Sequence, residues 1–107
     1  MRRAVITGLG IVSCLGNDRE SVTKSLREGI SGIRRREDFV EMGLRCHVGA
    51  VLDIDPKEHI DRKVLRFMGA SASYAYIATD RAIADAGLSE DMVSNPRTGL
   101  VMGAGGV

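Results

Sequence analysis

A long helical pattern between residues 62 and 86 constrains the fold of this chain more than any other feature. Small and apolar side chains repeat there at spacings of four and three residues, at Met68, Ala72, Ala75, Thr79, Ala82 and Ala86. The polar stripe that remains is narrow and consists of Arg66, Ser73, Asp80, Arg81 and Asp85. The pattern predicts a largely buried helix, divided near Gly69 and ended by Gly87, whose small side chains let another backbone pack closely.

The segments around this helix predict an α/β order of elements. Short apolar runs predict buried strands over residues 4–7 and 100–102, and alternation predicts a half-exposed strand over residues 44–50. Such an order favours a parallel sheet with helices against it. Because a buried strand followed by a glycine-rich turn normally leads into another element, we expect the chain to be the N-terminal part of a longer protein.

Two shorter helices are predicted in the first half of the chain. The first runs from about residue 18 to residue 28, with Asn17 as its N-cap and with Val22 and Leu26 facing the core. The second covers residues 37–42.

Composition narrows the class of protein. The chain has 107 residues, with 15 Lys and Arg against 14 Asp and Glu, two cysteines and no Trp. This balance indicates no nucleic-acid partner and no anionic membrane surface, and no apolar run reaches the roughly 18 residues of a membrane span. Two cysteines do not make a disulfide framework, so a cytoplasmic location is expected.

Two short motifs invite specific functions, and the residues support neither. Residues 5–10 begin like a dinucleotide-binding loop, but Ser13 stands where a third glycine is needed, and the next predicted helix begins only near Asn17. A strand whose exit needs glycine dihedrals is the favoured interpretation, and a nucleotide-binding domain is the weaker alternative. Cys46 and His47 point to opposite faces of a strand, so no metal site is predicted.

One group of positively charged residues bears on which kind of partner the protein binds. Arg62, Lys63 and Arg66, here called the basic cluster, share one surface at the predicted start of the long helix, where positive charge opposes the helix dipole. Two interpretations stay open. The basic cluster, joined by Arg45, is a docking site for an acidic partner, or it is a solvated face paired with Asp61 or Glu58.

Several stretches together resemble the N-terminal segment of the β-ketoacyl-[acyl carrier protein] synthases of type I, the condensing enzymes of bacterial fatty acid synthesis. The stretches that carry the resemblance are residues 3–13, 25–29, 31–33, 60–68, 82–88 and 95–100. The resemblance implies that residues 1–107 are the N-terminal part of the first half of a thiolase-like α/β fold, a mixed sheet flanked by helices, in a homodimer. The remainder of such an enzyme lies outside this chain.

The resemblance also implies an activity, namely elongation of acyl chains by decarboxylative condensation with malonyl carrier protein, without a cofactor or a metal. The family uses a cysteine and two histidines, and none of these maps onto this segment. Cys14, His47 and His59 match none of them, so the segment alone is expected to be inactive. Cys14 is expected to be a small apolar filler. A non-catalytic relative that acts as a partner in chain-length control or dimerisation is the alternative.

Two sites carry over from the family. The basic cluster and Arg45 correspond to the surface on which the family docks its acidic acyl carrier protein. The glycine turn of Gly105, Gly106 and Val107 corresponds to a place where the family's chain approaches the acyl pocket near the dimer interface, and a purely structural turn is the competing interpretation.

Overall fold

The regular structure of the chain is mostly helical. The computed structural model describes residues 1–103 and residue 105. Its helices, in chain order, are α1 (Arg19–Glu28), α2 (Glu37–Glu41), α3 (Arg62–Leu65), α4 (Ala70–Ala86) and α5 (Glu90–Val93), and a single 3₁₀ turn covers Pro56–Glu58. The two strands are β1 (Ile33–Arg35) and β2 (Val48–Ala50). Among the described residues, no helix is both long and apolar enough to cross a lipid bilayer.

These elements belong to two compact units. The α4 unit consists of residues 1–10 and the described residues from 56 onward, and it contains α3, α4 and α5. The β unit is residues 11–55 and contains α1, α2 and the two strands. The chain is therefore a mixed α/β structure in which the first ten residues pack with the second half of the sequence.

The predicted division near Gly69 and the predicted end at Gly87 are confirmed, but the prediction of a largely buried helix is wrong, because only Ser73 and Ile77 of the 17 residues of α4 are buried. The helix begins after Gly69 and ends at Gly87, whose φ of 65° is the left-handed conformation that glycine adopts without strain. Ser73, predicted on the polar stripe, is the most buried side chain, with 2% of its surface exposed. Its burial is tolerated because its hydroxyl donates a hydrogen bond to the Ala70 carbonyl oxygen at 2.7 Å.

The prediction that the small residues of this helix admit another backbone is confirmed. A Cβ atom added at Gly8 would lie 2.6 Å from the Ala86 nitrogen, and one added at Gly10 would lie 2.7 Å from the Ala82 nitrogen. Neither glycine has a positive φ, so the expectation of special glycine dihedrals at this point is wrong. Residues 8 and 10 are glycines because α4 leaves no room for a side chain.

The predicted strands at residues 4–7 and 100–102 do not form within the described chain. Ile6 and Val101 keep 92% and 96% of their surfaces exposed, and neither segment has a strand beside it. A strand needs a hydrogen-bonded neighbour, and no described segment supplies one there. The sheet that does form is a two-stranded antiparallel pair, β1 with β2, and not the predicted parallel sheet. Of the predicted strand over residues 44–50, only Val48–Ala50 is formed.

Helix α1 in the β unit follows its prediction closely, but the cap and one apolar contact differ. Asp18, not Asn17, is the N-cap, and its carboxylate accepts a hydrogen bond from the Ser21 amide at 2.8 Å. Leu26, predicted to face the core, is 66% exposed. The buried position belongs to Ser25, whose hydroxyl donates to the Leu15 carbonyl oxygen. The short helix predicted over residues 37–42 is confirmed as α2.

Replacing Gly10 with Ala tests the close packing on α4. We expect Gly10→Ala to lower the free energy of unfolding by about 2 kcal/mol or more, because the clash is with helix backbone that cannot move away cheaply. Gly99→Ala is the matched control, since a Cβ atom there meets nothing within 4 Å, and its effect should stay within about 0.5 kcal/mol. Urea unfolding of both variants measures the difference, and equal stabilities would contradict the packing.

Candidate functional site

The basic cluster lies on a single helical turn. Arg62 and Lys63 open α3, and Arg66 is its C-cap. The turn is started by Asp61, whose carboxylate accepts a hydrogen bond from the Lys63 amide at 2.7 Å. Because α3 is only four residues long and α4 starts separately at Ala70, the basic cluster does not oppose the dipole of the long helix. The dipole conflict expected from the sequence is therefore wrong.

The side chains of the basic cluster are exposed, and none of them forms an ion pair with a described carboxylate. The Asp61 carboxylate is used by the cap, and Glu58 forms no ion pair. The Arg66 guanidinium instead lies over the Phe67 ring, 4.6 Å from its centroid. The pairing with Asp61 or Glu58 that was expected of a solvated face is thus absent from the described residues, while the exposure of the face is present. Three positive charges remain available to a partner.

An open groove lies beside these charges. Its volume is about 450 Å³, and it is lined by Lys57, Ile60, Arg62, Leu65 and Arg66. Ile60 is a core residue with 6% of its surface exposed, and Leu65 is half-buried. The charge pattern of the sequence predicts the two arginines of this groove but not its apolar residues Ile60 and Leu65. The available signal was the pair of apolar residues on either side of the Asp61 cap.

Arg45, predicted to join the basic cluster, lies in the β unit. It is exposed and stands in the loop between α2 and β2. Its part in a common surface stays a prediction.

The predicted glycine turn is described only at its first residue. Gly105 lines a cavity of about 800 Å³ whose other lining residues are mostly small: Gly69, Ala70, Ser71, Ala72, Ala75, Met102 and Gly103. Gly106 and Val107 lie outside the described residues, so their predicted role stays a prediction.

The other basic run, residues 34–36, differs from the basic cluster because two of its arginines are paired locally. Arg35 donates to Glu37 at 2.7 Å, and Arg36 forms two hydrogen bonds with the Asp38 carboxylate, at 2.8 and 2.5 Å. The hydrogen bonds between Arg36 and Asp38 hold the pKa of the Asp38 carboxyl below its ordinary value and raise the pKa of Arg36. Local pairing therefore leaves this run less charge to offer a partner.

The glycines of the nucleotide-like motif are not free to bind phosphate. The Leu9 amide donates to the Asp85 carboxylate at 3.0 Å, and the backbone of Gly8 and Gly10 packs on α4. A phosphate-binding loop needs amides that point at the ligand, so residues 8–10 do not form such a loop.

The cysteines and histidines form no reactive arrangement in the described part of the chain. Cys14 packs against Gly32, where an added Cβ atom would lie 2.6 Å from its sulfur, as expected for a small filler. Cys46 is exposed, and its thiol donates to the Val48 carbonyl oxygen at 3.4 Å. No three His, Cys, Asp or Glu residues among those described lie close enough together to hold a metal ion.

Comparison of the sequence with a family model and with known proteins points to one and the same family. Residues 1–106 match the family model described as the β-ketoacyl synthase N-terminal domain. The chain is 59% identical over 105 residues to 3-oxoacyl-[acyl-carrier-protein] synthase 1 of Haemophilus influenzae, covering 98% of this chain and 26% of that protein. The protein of the same name from Escherichia coli K12 is 51% identical over 107 residues, covering 99% of this chain and 26% of that protein.

A solved structure agrees with these matches. The crystal structure of a β-ketoacyl synthase from Burkholderia phymatum STM815 superposes with a TM-score of 0.71 at 34% identity, covering 85% of this chain and 23% of that one. The chain thus spans about a quarter of the length of the relatives it matches.

The Arg36–Asp38 pair makes a prediction about acid titration. Because the pKa of Asp38 is depressed in the folded protein, the pair contributes stability above the unfolded pKa, and that contribution is lost as the pH falls through the folded pKa. Following the Asp38 carboxyl carbon by NMR, we expect Arg36→Ala to raise its titration midpoint. The control Arg35→Ala, which removes the partner of Glu37 instead, should leave the midpoint unchanged. The same midpoint in both variants would disprove the pairing.

Proposed function

The chain belongs to the β-ketoacyl synthase family, and we propose that the protein that carries it elongates acyl chains in fatty acid biosynthesis. The observation that supports this most is the 59% identity, over 98% of the chain, to a protein named 3-oxoacyl-[acyl-carrier-protein] synthase 1. That name states a 3-oxoacyl product and an acyl carrier protein. On this proposal, the acyl chain is held as a thioester on an acidic acyl carrier protein, and the product is a 3-oxoacyl thioester.

The proposed reaction has three steps. An acyl group moves from the carrier thioester to an enzyme cysteine, and the carrier thiol leaves. Malonyl carrier protein then loses CO₂, and two histidines assist as the carbanion forms. The carbanion attacks the acyl-enzyme carbonyl, so that a carbon–carbon bond forms and the bond to the cysteine sulfur breaks.

On this proposal, no described residue of this chain is a reacting group. Cys14 is packed against Gly32, Cys46 bonds to backbone, and the side chains of His47 and His59 form no hydrogen bond with either cysteine. We assign the chain to the N-terminal part of a thiolase-like fold in a cytoplasmic homodimer. The apolar segments at residues 4–7 and 100–102, exposed here, are consistent with strands that pair within a larger sheet.

The basic cluster is the proposed docking surface for the carrier protein. Three charges that form no ion pair with a described carboxylate attract an acidic partner over the Debye length and orient it on approach. A surface whose charges were already paired would gain less electrostatic energy from binding an acidic partner. Arg45 is proposed as a further docking cation on the family resemblance alone.

The turn at Gly105, Gly106 and Val107 is proposed to border the acyl pocket. The support is the cavity at Gly105, whose small side chains leave room for an acyl chain.

The activity is tested by incubating the protein that carries this chain with acyl and malonyl carrier proteins. We expect mass spectrometry of the carrier to show a 3-oxoacyl chain longer by the two carbons that malonate keeps, with release of CO₂. Transfer without elongation, or no reaction, would contradict the proposed condensation. Carrier binding without any reaction would instead support the non-catalytic alternative.

Docking is tested by reversing single charges of the basic cluster. We expect Lys63→Glu and Arg66→Glu each to weaken carrier binding about tenfold at low salt, with little change in melting temperature, because both side chains are exposed. Lys24→Glu, an exposed cation on α1, is the matched control and should leave the affinity unchanged. Equal affinities for all three variants would show that α3 is not the docking surface.

A further inference from the structure

The groove beside the basic cluster is a small-molecule site in its own right, with an apolar floor and positive charges around it. We propose that it binds a free fatty acid, which lays its acyl chain on Ile60 and Leu65, places its carboxylate at Arg62 and Arg66, and competes with carrier docking. The competition rests on the proposed docking function, whereas the binding of the fatty acid does not.

The residues that line the groove belong to two chemical classes. Ile60 is nearly fully buried and holds the floor in place, while Leu65 is half-buried and still presents apolar surface to an entering group. The other lining residues are Lys57, Arg62 and Arg66, and no acidic residue is found among the described residues of the lining. A ligand that matches both classes has an apolar tail and an anionic head group.

The two arginines suit a carboxylate head group. Arg62 and Arg66 are four residues apart, so their side chains emerge on the same side of one helical turn, and neither forms an ion pair with a described carboxylate. The contact of Arg66 with the Phe67 ring engages the face of the guanidinium and leaves its in-plane N–H groups to an acceptor. A guanidinium can donate two parallel hydrogen bonds to a carboxylate, which makes either arginine a suitable partner.

The size of the groove suits a single acyl chain. Its volume of about 450 Å³ lies in the range of clefts that take small ligands, roughly 300–1,000 Å³. Each methylene group that settles on Leu65 is removed from water and adds to the affinity. Because the groove is open, it covers only part of such a chain, so the expected binding is weak and reversible.

A bound fatty acid changes the proposed docking surface in two ways. Its carboxylate offsets part of the positive charge of the basic cluster, and its chain covers Leu65. An acidic carrier protein then meets a weaker field and an occupied groove, so its affinity falls. A fatty acid is the free form of the acyl chains that the proposed reaction lengthens, so its accumulation would slow further elongation.

Binding is measured on the protein that carries this chain by methyl NMR, with octanoate as the probe. We expect octanoate to shift the methyl signals of Ile60, which lines the groove, and to leave those of Ile77, also buried but outside the lining, unchanged. This local signal separates the groove from any other site that takes octanoate. Octanol lacks the charge and acetate lacks the tail, so each should bind at least about tenfold more weakly.

Two substitutions each remove one half of the site. We expect Leu65→Ala and Arg66→Ala each to weaken octanoate binding about fivefold to tenfold. Val64→Ala is the matched control, since Val64 is a neighbouring exposed aliphatic residue outside the lining. The comparison of octanoate with octanol and acetate needs no substitution and stays decisive if Leu65→Ala does not fold. Unmoved Ile60 signals, or equal binding of octanoate and octanol, would overturn the inference.

Competition is measured by titrating labelled acyl carrier protein with octanoate present or with the same concentration of acetate. Octanoate at ten times its own Kd should lower the carrier affinity of the unsubstituted protein about tenfold, and the same concentration should lower that of Arg66→Ala only about twofold. The ratio within each protein removes the effect of the substitution on docking itself.

The two proposals fail in different ways. Carrier binding that stays unchanged when the Ile60 shift is saturated would overturn the inference and leave the docking proposal intact. No carrier binding in acetate would overturn the docking proposal and the competition with it, while the Ile60 signals would still decide whether the groove holds a fatty acid.

Discussion

The contact between the backbone of residues 8–10 and helix α4 is the interaction on which the α4 unit depends. Glycines on the segment and alanines on the helix bring the two backbones together without intervening side chains, and the Leu9 amide is bonded to Asp85. Large buried side chains are scarce among the described residues of this unit, where Ile60 and Ile77 are the buried apolar residues. Close fit, which maximises dispersion contacts, therefore takes the place of a large apolar core.

The same unit positions the candidate site through a break in the helix. Gly69 separates α3 from α4, so the basic cluster stands on a separate turn and not on the long helix. Asp61 starts that turn with its carboxylate, and none of the three neighbouring cations forms an ion pair with a described carboxylate. A capping aspartate thus begins the short helix that carries the charged surface.

How far the sequence predicts the structure depends on the range of the interactions involved. Helix α4 and its end at Gly87 follow from side-chain spacing and glycine placement, which are local. The strands expected at residues 4–7 and 100–102 do not appear, because a strand is completed by neighbours that the described chain does not supply. At the site, the basic cluster follows from the spacing of charged residues in the sequence. Its lack of partners and the groove floor at Ile60 depend on side-chain geometry that no spacing rule provides.

The claim that α3 receives an acidic carrier protein is tested most directly by mapping where that protein binds. Hydrogen–deuterium exchange of the protein that carries this chain, followed by mass spectrometry with and without carrier protein, gives such a map. The account predicts that peptides covering residues 60–68 exchange more slowly in the complex, while those covering α1 are unchanged. Slower exchange elsewhere, with residues 60–68 unaffected at saturating carrier protein, would contradict it.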